Sequence, residues 1–331
     1  MSISAPIRIL TRGSALALAQ AKMMLTQCQS NFPDLQFQLQ IVKTTGDKLQ
    51  TASLASAELP KGLFTKELET ALLSGEGDLA VHSLKDLPTE LPAGLKLGAV
   101  TRRADVRDVL IYRGPDLKAG AGTAPGSVAR SYPPGLTIKS LPTGATVASS
   151  STRRCAQILE ARPDLNVVPI RGNVGTRLRK IAEQGELDAT ILAAAGLERL
   201  HFRTGAALAL QGPDVPAGLL GVPISTEEMI PAVGQAAIGI ETRENDECIE
   251  RICAKLHDYE TGQCVIAERS FLEAMGGGCH LAVAAYAIVV GDQLQMRAIS
   301  FLAGRPQRAE GSRSVLEPLE LGQALARAVG G

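Results

Sequence analysis

The sequence predicts an α/β protein with parallel-rich sheets, arranged as two similar lobes followed by a small C-terminal α+β domain. Three observations carry this expectation. Strand-like and helical stretches alternate over two long runs of chain. One stretch of each run echoes the other, "GEGDLAVHS" against "GELDATILAA". Beyond about Asp258 the order changes to a helix, an antiparallel pair and a last helix.

The elements follow in chain order. Ile7 to Leu10 is a short apolar strand, and Ser14 can cap a helix running to about Ser30. "QFQLQIV" places Phe37, Leu39 and Ile41 on one face, the period of a strand. "LFTKELETALLSG" is helical in pattern and "DLAVHS" is strand-like. From Gly114 to Thr143 the glycines and prolines predict a long loop or insertion rather than a packed element. Alternation resumes with strand "TVASS", helix "TRRCAQILEAR", strand "NVVPI", helix "GTRLRKIAEQ" and strand "DATILAA". A loop over roughly Gln211 to Thr226 leads to "EEMIPAVGQAAIGIE". A helix ending near Met275 precedes the pair "LAVAAYAIVV" and "QLQMRAISFLAG".

Composition narrows the function. The 331 residues are 45% hydrophobic, enough for a sizeable core. Lys+Arg and Asp+Glu are both 34, so a global nucleic-acid or anionic-membrane binder is not expected. Aromatics at 3%, with no Trp, leave little for base stacking. No apolar stretch reaches a membrane span, and "MSISAPIRIL" lacks the pattern of a secretory signal. The six cysteines show no CxxC spacing and read as reduced thiols, which predicts a cytoplasmic protein without a metal site.

Cations gather at predicted strand ends. "SSSTRRC" puts Ser150, Arg153 and Arg154 at a helix N-terminus, where free N–H groups and guanidiniums favour an anion. "RGNVGTR" repeats the arrangement with Arg171 and Arg177, and "GLERL" adds Arg199. Successive strand ends on one edge of a parallel sheet line one crevice. The first lobe supplies Arg12 and Ser14 in "TRGS", and Ser83, Lys85 and Asp86 in "VHSLKD". Asp86 is the only carboxylate in this set; a salt bridge explains it, and so does acid–base or cation-stabilising work. Lys61 and Lys66 add charge or lie on the surface, and His82 reads as a packed, hydrogen-bonded residue. "GGGCHLAVAAYA" leaves Cys279 behind three glycines, either on an accessible loop or ahead of a buried strand.

Taken together, "TRGSALALAQA", "TTGD", "KGLFTKELE", "DLAVHSLKDLP", "RRCAQ", "RGNVGTRL", "PAVGQAAIGIE" and the glycine-flanked Cys279 resemble the hydroxymethylbilane synthase (porphobilinogen deaminase) family from Ile7 to about Ala287. The resemblance implies two periplasmic-binding-protein-like lobes, the first at residues 1–106 and 231–255 and the second at 107–230, a small third domain at 258–331, and a dipyrromethane cofactor held by Cys279 through a thioether. It implies that Asp86 is the catalytic carboxylate. Arg12, Ser14, Lys61, Ser83, Lys85, Ser150, Arg153, Arg154, Arg171, Arg177, Arg199 and Gln235 would bind cofactor and substrate. The substrate would be porphobilinogen, added in turn to a growing chain by a monomer with no nucleic-acid or membrane partner. Arg forks suit the two carboxylates of each pyrrole. Three departures stand out: no glutamine or early proline after Cys279, Val106 where a proline is common, and the long Gly/Pro segment. A two-lobed cytosolic binding protein for a polycarboxylate is the alternative, needing the arginines but neither Asp86 nor the thiol. A cysteine-nucleophile acyltransferase fits poorly, because His280 is next to Cys279 and neighbours on an extended segment point to opposite sides.

Overall fold

The structure is a computed structural model that describes residues 5–44, 65–116, 130–278 and 281–330. Lys61, Cys279 and His280 lie outside the described residues. The chain opens with β1 (Ile7–Arg12), α1 (Ala15–Asn31), β2 (Phe37–Val42), α2 (Lys66–Leu73), β3 (Leu79–Ser83) and β4 (Leu95–Val100). It crosses to a second sheet as β5 (Asp108–Arg113), β6 (Thr146–Ala148), α3 (Thr152–Ala161), β7 (Asn166–Val168), α4 (Val174–Glu183), β8 (Ala189–Ala193) and α5 (Ala194–Arg199). A two-stranded ribbon, β9 (Arg203–Thr204) and β10 (Leu210–Gln211), precedes β11 (Leu219–Ile224). The chain then returns to the first sheet as β12 (Ile238–Arg243), followed by α6 (Glu247–Leu256).

The two sheets share one plan. Their strand orders are β2-β1-β3-β12-β4 and β7-β6-β8-β5-β11. In each, the first three strands run parallel and the last two pair antiparallel with their neighbours. The parallel strands follow the expected alternation, because parallel neighbours need a crossover that a helix can supply. β12 and β5 hold the same place in their sheets, and each follows a crossing between lobes, at 101–107 and 225–237. Two crossing segments therefore carry the connection between the lobes.

Side-chain spacing sets the helix faces. α1 buries Ala17, Gln20, Ala21, Met24 and Cys28, three or four residues apart. Ala21, Met24 and Cys28 join Ile9, Leu79, Val81, Ile238 and Ile240 in the first core. Ser14 caps α1 as expected, accepting from the N–H of Ala17; Ser151 and Asn173, not expected as caps, accept from Arg154 and Thr176 at the starts of α3 and α4.

The small domain packs α7 (Tyr259–Ala274) and α8 (Pro318–Val329) on one sheet of β13 (Val283–Val290), β14 (Gln293–Ser300) and β15 (Gln307–Ser314). Phe271, Leu294, Met296, Leu321 and Leu325 are at its centre. The helices approach closely at Gly322, where a Cβ would collide with the carbonyl oxygen of Ala267. An antiparallel pair was expected; β15 makes it a trio. "QRAEGSRS" has no apolar alternation to announce a strand, since it is a largely exposed edge.

The segment 114–143 also departs from expectation. Tyr132, Leu136, Ile138 and Leu141 are buried in the second core with Tyr112, Val147 and Ile191. The Tyr112 hydroxyl donates to Pro133 O at 3.2 Å and accepts from the N–H of Leu136 at 3.1 Å. In the described part, residues 114–116 and 130–143, prolines and glycines exclude regular structure without excluding burial. There the loop reading holds for the backbone and fails for the side chains named above.

Candidate active site

The first lobe builds one wall from three strand-end features. β1 ends at Arg12, and Ser14 caps the helix that follows. β3 ends at Ser83, whose hydroxyl donates to Gln20 Oε1 at 3.0 Å. A 3-10 turn, Leu84–Asp86, then projects Lys85 and Asp86. Arg12, Ser14, Gln20, Thr65, Ser83 and Asp86 line a cleft of about 420 Å³, its open mouth included. His82 forms part of this wall and pairs through Nε2 with Glu241 at 2.9 Å.

The second lobe faces it with arginines. Arg153 and Arg154 begin α3 and are buried. Their Nη2 atoms donate to the two oxygens of Asp108, each at 2.7 Å. The Nη1 atoms donate to Ile230 O at 2.7 Å and Ile191 O at 2.9 Å. Asp86 is therefore not the only carboxylate among these cations. Asp108 heads β5, two residues after Val106; the sequence singles out that neighbour but not the acid. Desolvation opposes its ionisation, but the two guanidiniums outweigh that and hold it far below the usual carboxylate range.

Lys85 and Arg177 tie the lobes electrostatically. Burial pushes the Lys85 ammonium down to about 8; Asp86 and Asp108 oppose this, while Arg154 and Arg153 add to it. Burial likewise lowers Arg177, with Arg154 adding to the shift and Asp86 opposing it. Lys85 and Asp86 belong to the first lobe and the three arginines to the second, so charge from both lobes meets at one place.

Other expected site residues have protein partners. The Ser150 hydroxyl donates to Ile170 O at 2.8 Å and accepts from its N–H at 2.9 Å, joining the segments just after β6 and β7. Arg177 Nε donates to Gly172 O at 2.8 Å. Arg171 is exposed at the end of β7, and its carbonyl accepts from Lys180. Arg199 Nη2 donates to Ala236 O at 2.6 Å, bracing the second crossing where Ala236 has φ 72°. Gln235 is buried, and its Nε2 donates to Val106 O at 2.7 Å and to Asp108 at 3.0 Å. Arg199 and Gln235 thus hold the crossings. Lys66 is exposed at the start of α2.

The residues present suit a polycarboxylate ligand such as a dipyrromethane. Gln20 Nε2, Arg153 Nε, Arg154 Nε and Arg199 Nε are buried without a hydrogen-bond partner, so donors remain in the wall and behind it. Gly276, Gly277 and Gly278, just before Cys279, have φ of 104°, 63° and 112°. Three successive left-handed residues demand glycine. The sequence signal for this loop was the glycine run itself.

Comparison with known proteins gives a consistent result. A family model described as porphobilinogen deaminase, dipyrromethane cofactor binding domain, matches residues 7–251. A second, the porphobilinogen deaminase C-terminal domain, matches residues 262–329. The porphobilinogen deaminase of Syntrophus aciditrophicus is 42% identical over 326 residues, covering 97% of this chain and 94% of that protein. That of Trichlorobacter lovleyi is 41% identical over 327 residues, covering 97% and 91%. Among solved structures, the reduced OxyR regulatory domain from Pseudomonas aeruginosa aligns with a TM-score of 0.39 and 13% identity, over 77% of this chain and 98% of that one.

Proposed function

The chain belongs to the porphobilinogen deaminase family, and from that premise we propose how its residues divide the work. The family's enzyme is a transferase with a dipyrromethane cofactor, and this chain has the same hydroxymethylbilane synthase function in porphyrin biosynthesis. Four porphobilinogen molecules are condensed in turn, ammonia is lost each time, and linear hydroxymethylbilane is released by water.

Cys279 is the attachment point, through a thioether. When bound, the cofactor supplies a nucleophilic pyrrole carbon to which the first substrate ring is joined. Asp86 holds or gives a proton at the substrate's amino group and sets a negative charge beside the pyrrole nitrogens as positive charge develops. Lys85, Arg12, Arg177, Arg171 and Lys61 bind acetate and propionate groups, with Ser14, Ser83 and Ser150 beside them. Arg153, Arg154, Arg199 and Gln235 keep the site's cations in place through Asp108 and the second crossing, and offer their remaining donors. The observation that carries this division is the convergence of Lys85 and Asp86 with Arg153, Arg154 and Arg177 across the two lobes.

The lobes and small domain take the boundaries read from the sequence, with the protein acting as a cytoplasmic monomer. No helix among the described residues is long and apolar enough to cross a membrane. The test is intact mass and the Ehrlich spectrum of purified protein, wild type beside Cys279→Ser and Cys264→Ser. Burial raises the Cys264 thiol to about 12, which leaves it inert. The dipyrrole mass should be present in wild type and Cys264→Ser and absent in Cys279→Ser. Its persistence in Cys279→Ser would refute the attachment site.

A further inference from the structure

The half-buried Arg269, on α7 of the small domain, reaches across to the first lobe. Its Nη1 donates to Leu87 O at 3.1 Å, and its Nη2 donates to Pro88 O at 2.6 Å and Thr89 O at 3.1 Å. Three consecutive carbonyls are held by one guanidinium, and they follow Asp86 directly. No regular backbone ladder takes these groups, because Leu87 to Thr89 belong to neither helix nor strand. The other anchors of this segment are the packing of Leu84 and Leu87 against Val100, Ala237 and Val265 and the bond from Leu84 N–H to Ala237 O. Arg269 supplies the side-chain hydrogen bonds to these three carbonyls.

The same helix leads into the glycine loop. α7 ends at Ala274, and Gly276 and Gly277 donate their N–H groups back to Glu273 and Leu272 at 2.9 Å. Gly277 also lies against the 87–89 segment: a Cβ on it would stand 3.2 Å from Thr89 Oγ1. The C-terminal half of a rigid helix is thus tied to the stretch after Asp86, and the end of the same helix gives rise to the loop that precedes Cys279.

The geometry points to Arg269 as a positioning residue that sets the Lys85–Asp86 turn in register with the glycine loop of the small domain. The inference rests on the roles proposed for Asp86 and Cys279. Arg269 touches no substrate in this account; it acts through the backbone that carries Asp86. Proton transfer and charge stabilisation depend steeply on distance, so a turn loosened by an ångström slows the chemical step more than it weakens carboxylate binding.

An open cleft of about 650 Å³, its mouth included, beside Arg269 and lined by Thr89, Val265, Ser270 and Glu273, supplies a direct test. Arg269→Ala, isolated with its cofactor, opens into this space, which can admit methylguanidinium. The expected result is an intact dipyrrole mass, kcat lower by about thirtyfold and KM within about threefold of wild type. Millimolar methylguanidinium should then restore at least about fivefold, which a merely destabilised fold would not do. Arg269→Lys, which keeps the charge but not the three-point fork, should lose about tenfold and decides the matter if the alanine variant does not fold. Turnover near wild type in either variant would overturn the inference. So would a loss that follows the folded or cofactor-loaded fraction and ignores methylguanidinium. Wild-type protein lacking the dipyrrole mass would overturn the functional reading and this inference with it.

Discussion

Glu268 of α7 accepts both terminal nitrogens of Arg103, each at 2.7 Å, in a two-point bond between the small domain and the first crossing segment. Its oxygens also accept the N–H groups of Gly234, on the second crossing, at 2.8 Å and of Ala287, in β13, at 2.9 Å. Arg103 in turn donates through Nε to Gln235 O at 2.8 Å. One fully buried carboxylate therefore gathers both crossings and the third sheet.

Glu268→Ala should cost about 3–5 kcal/mol, because it leaves the Arg103 charge buried beside two unsatisfied N–H groups. That is a large part of the stability of an ordinary domain. Glu268→Gln keeps the shape and should cost less. Urea unfolding followed by circular dichroism measures both. An alanine variant within about 1 kcal/mol of wild type would show that water replaces the carboxylate.

Within the 114–143 segment, Leu141 is 3% exposed and packs in the second core. Leu141→Ala should destabilise by about 2–4 kcal/mol, the range for a buried leucine. Joining Arg113 directly to Gly144 should do worse, since it removes Tyr132, Leu136 and Ile138 as well. It also removes the Arg130 carbonyl that accepts from the fully buried Arg113. Thermal unfolding of the point variant and soluble yield of the deletion would check this. A deletion that folds normally would mean the core closes over the gap.

These cases show what the sequence could and could not reveal. Helical patterning revealed α1, α3 and α4, because each buries one face, and Ser14 also marked the start of α1; the caps Ser151 and Asn173 emerged only in the structure. Local motifs likewise exposed Lys85–Asp86 and the arginine pair. Asp108 was silent because its partners lie 45 and 46 residues away. Glu268 was silent for the same reason, with Arg103 165 residues distant. Both are ordinary acidic residues on ordinary elements until the fold closes. β15 hid because an exposed edge strand needs no apolar face, and Tyr132 to Leu141 hid because irregular backbone shows no period.

Lys85 gives a pH prediction with a defined sign. Burial lowers its folded pKa to about 8 from an unfolded 10.5. Between those values the unfolded chain binds more protons, so this lysine makes stability rise with pH from about 8 upward. Binding should move the other way. The free enzyme loses the cation as pH rises through about 8, so kcat/KM should fall there. Bound carboxylates favour the ammonium, which moves the corresponding limb in kcat to higher pH. Lys85→Arg should remove the limb near 8 from kcat/KM. A limb unchanged in that variant would assign it to another group.

Asp86 separates charge from shape. It is exposed on the 3-10 turn, beside Lys85 and in electrostatic reach of Arg177. A carboxylate at this place can stabilise positive charge as it develops on the pyrrole nitrogens. Asp86→Asn keeps the shape and removes the charge, so turnover should fall by at least about a hundredfold. Asp86→Glu keeps the charge and shifts it by one methylene, so it should retain more activity than Asn. Arg171→Ala should instead raise KM, through loss of a carboxylate contact. Single-turnover rates on cofactor-loaded protein distinguish a slowed chemical step from weakened binding. If Asp86→Asn turned over near the wild-type rate, the carboxylate would be a partner for Lys85 alone, and the acid–base work would belong to another group.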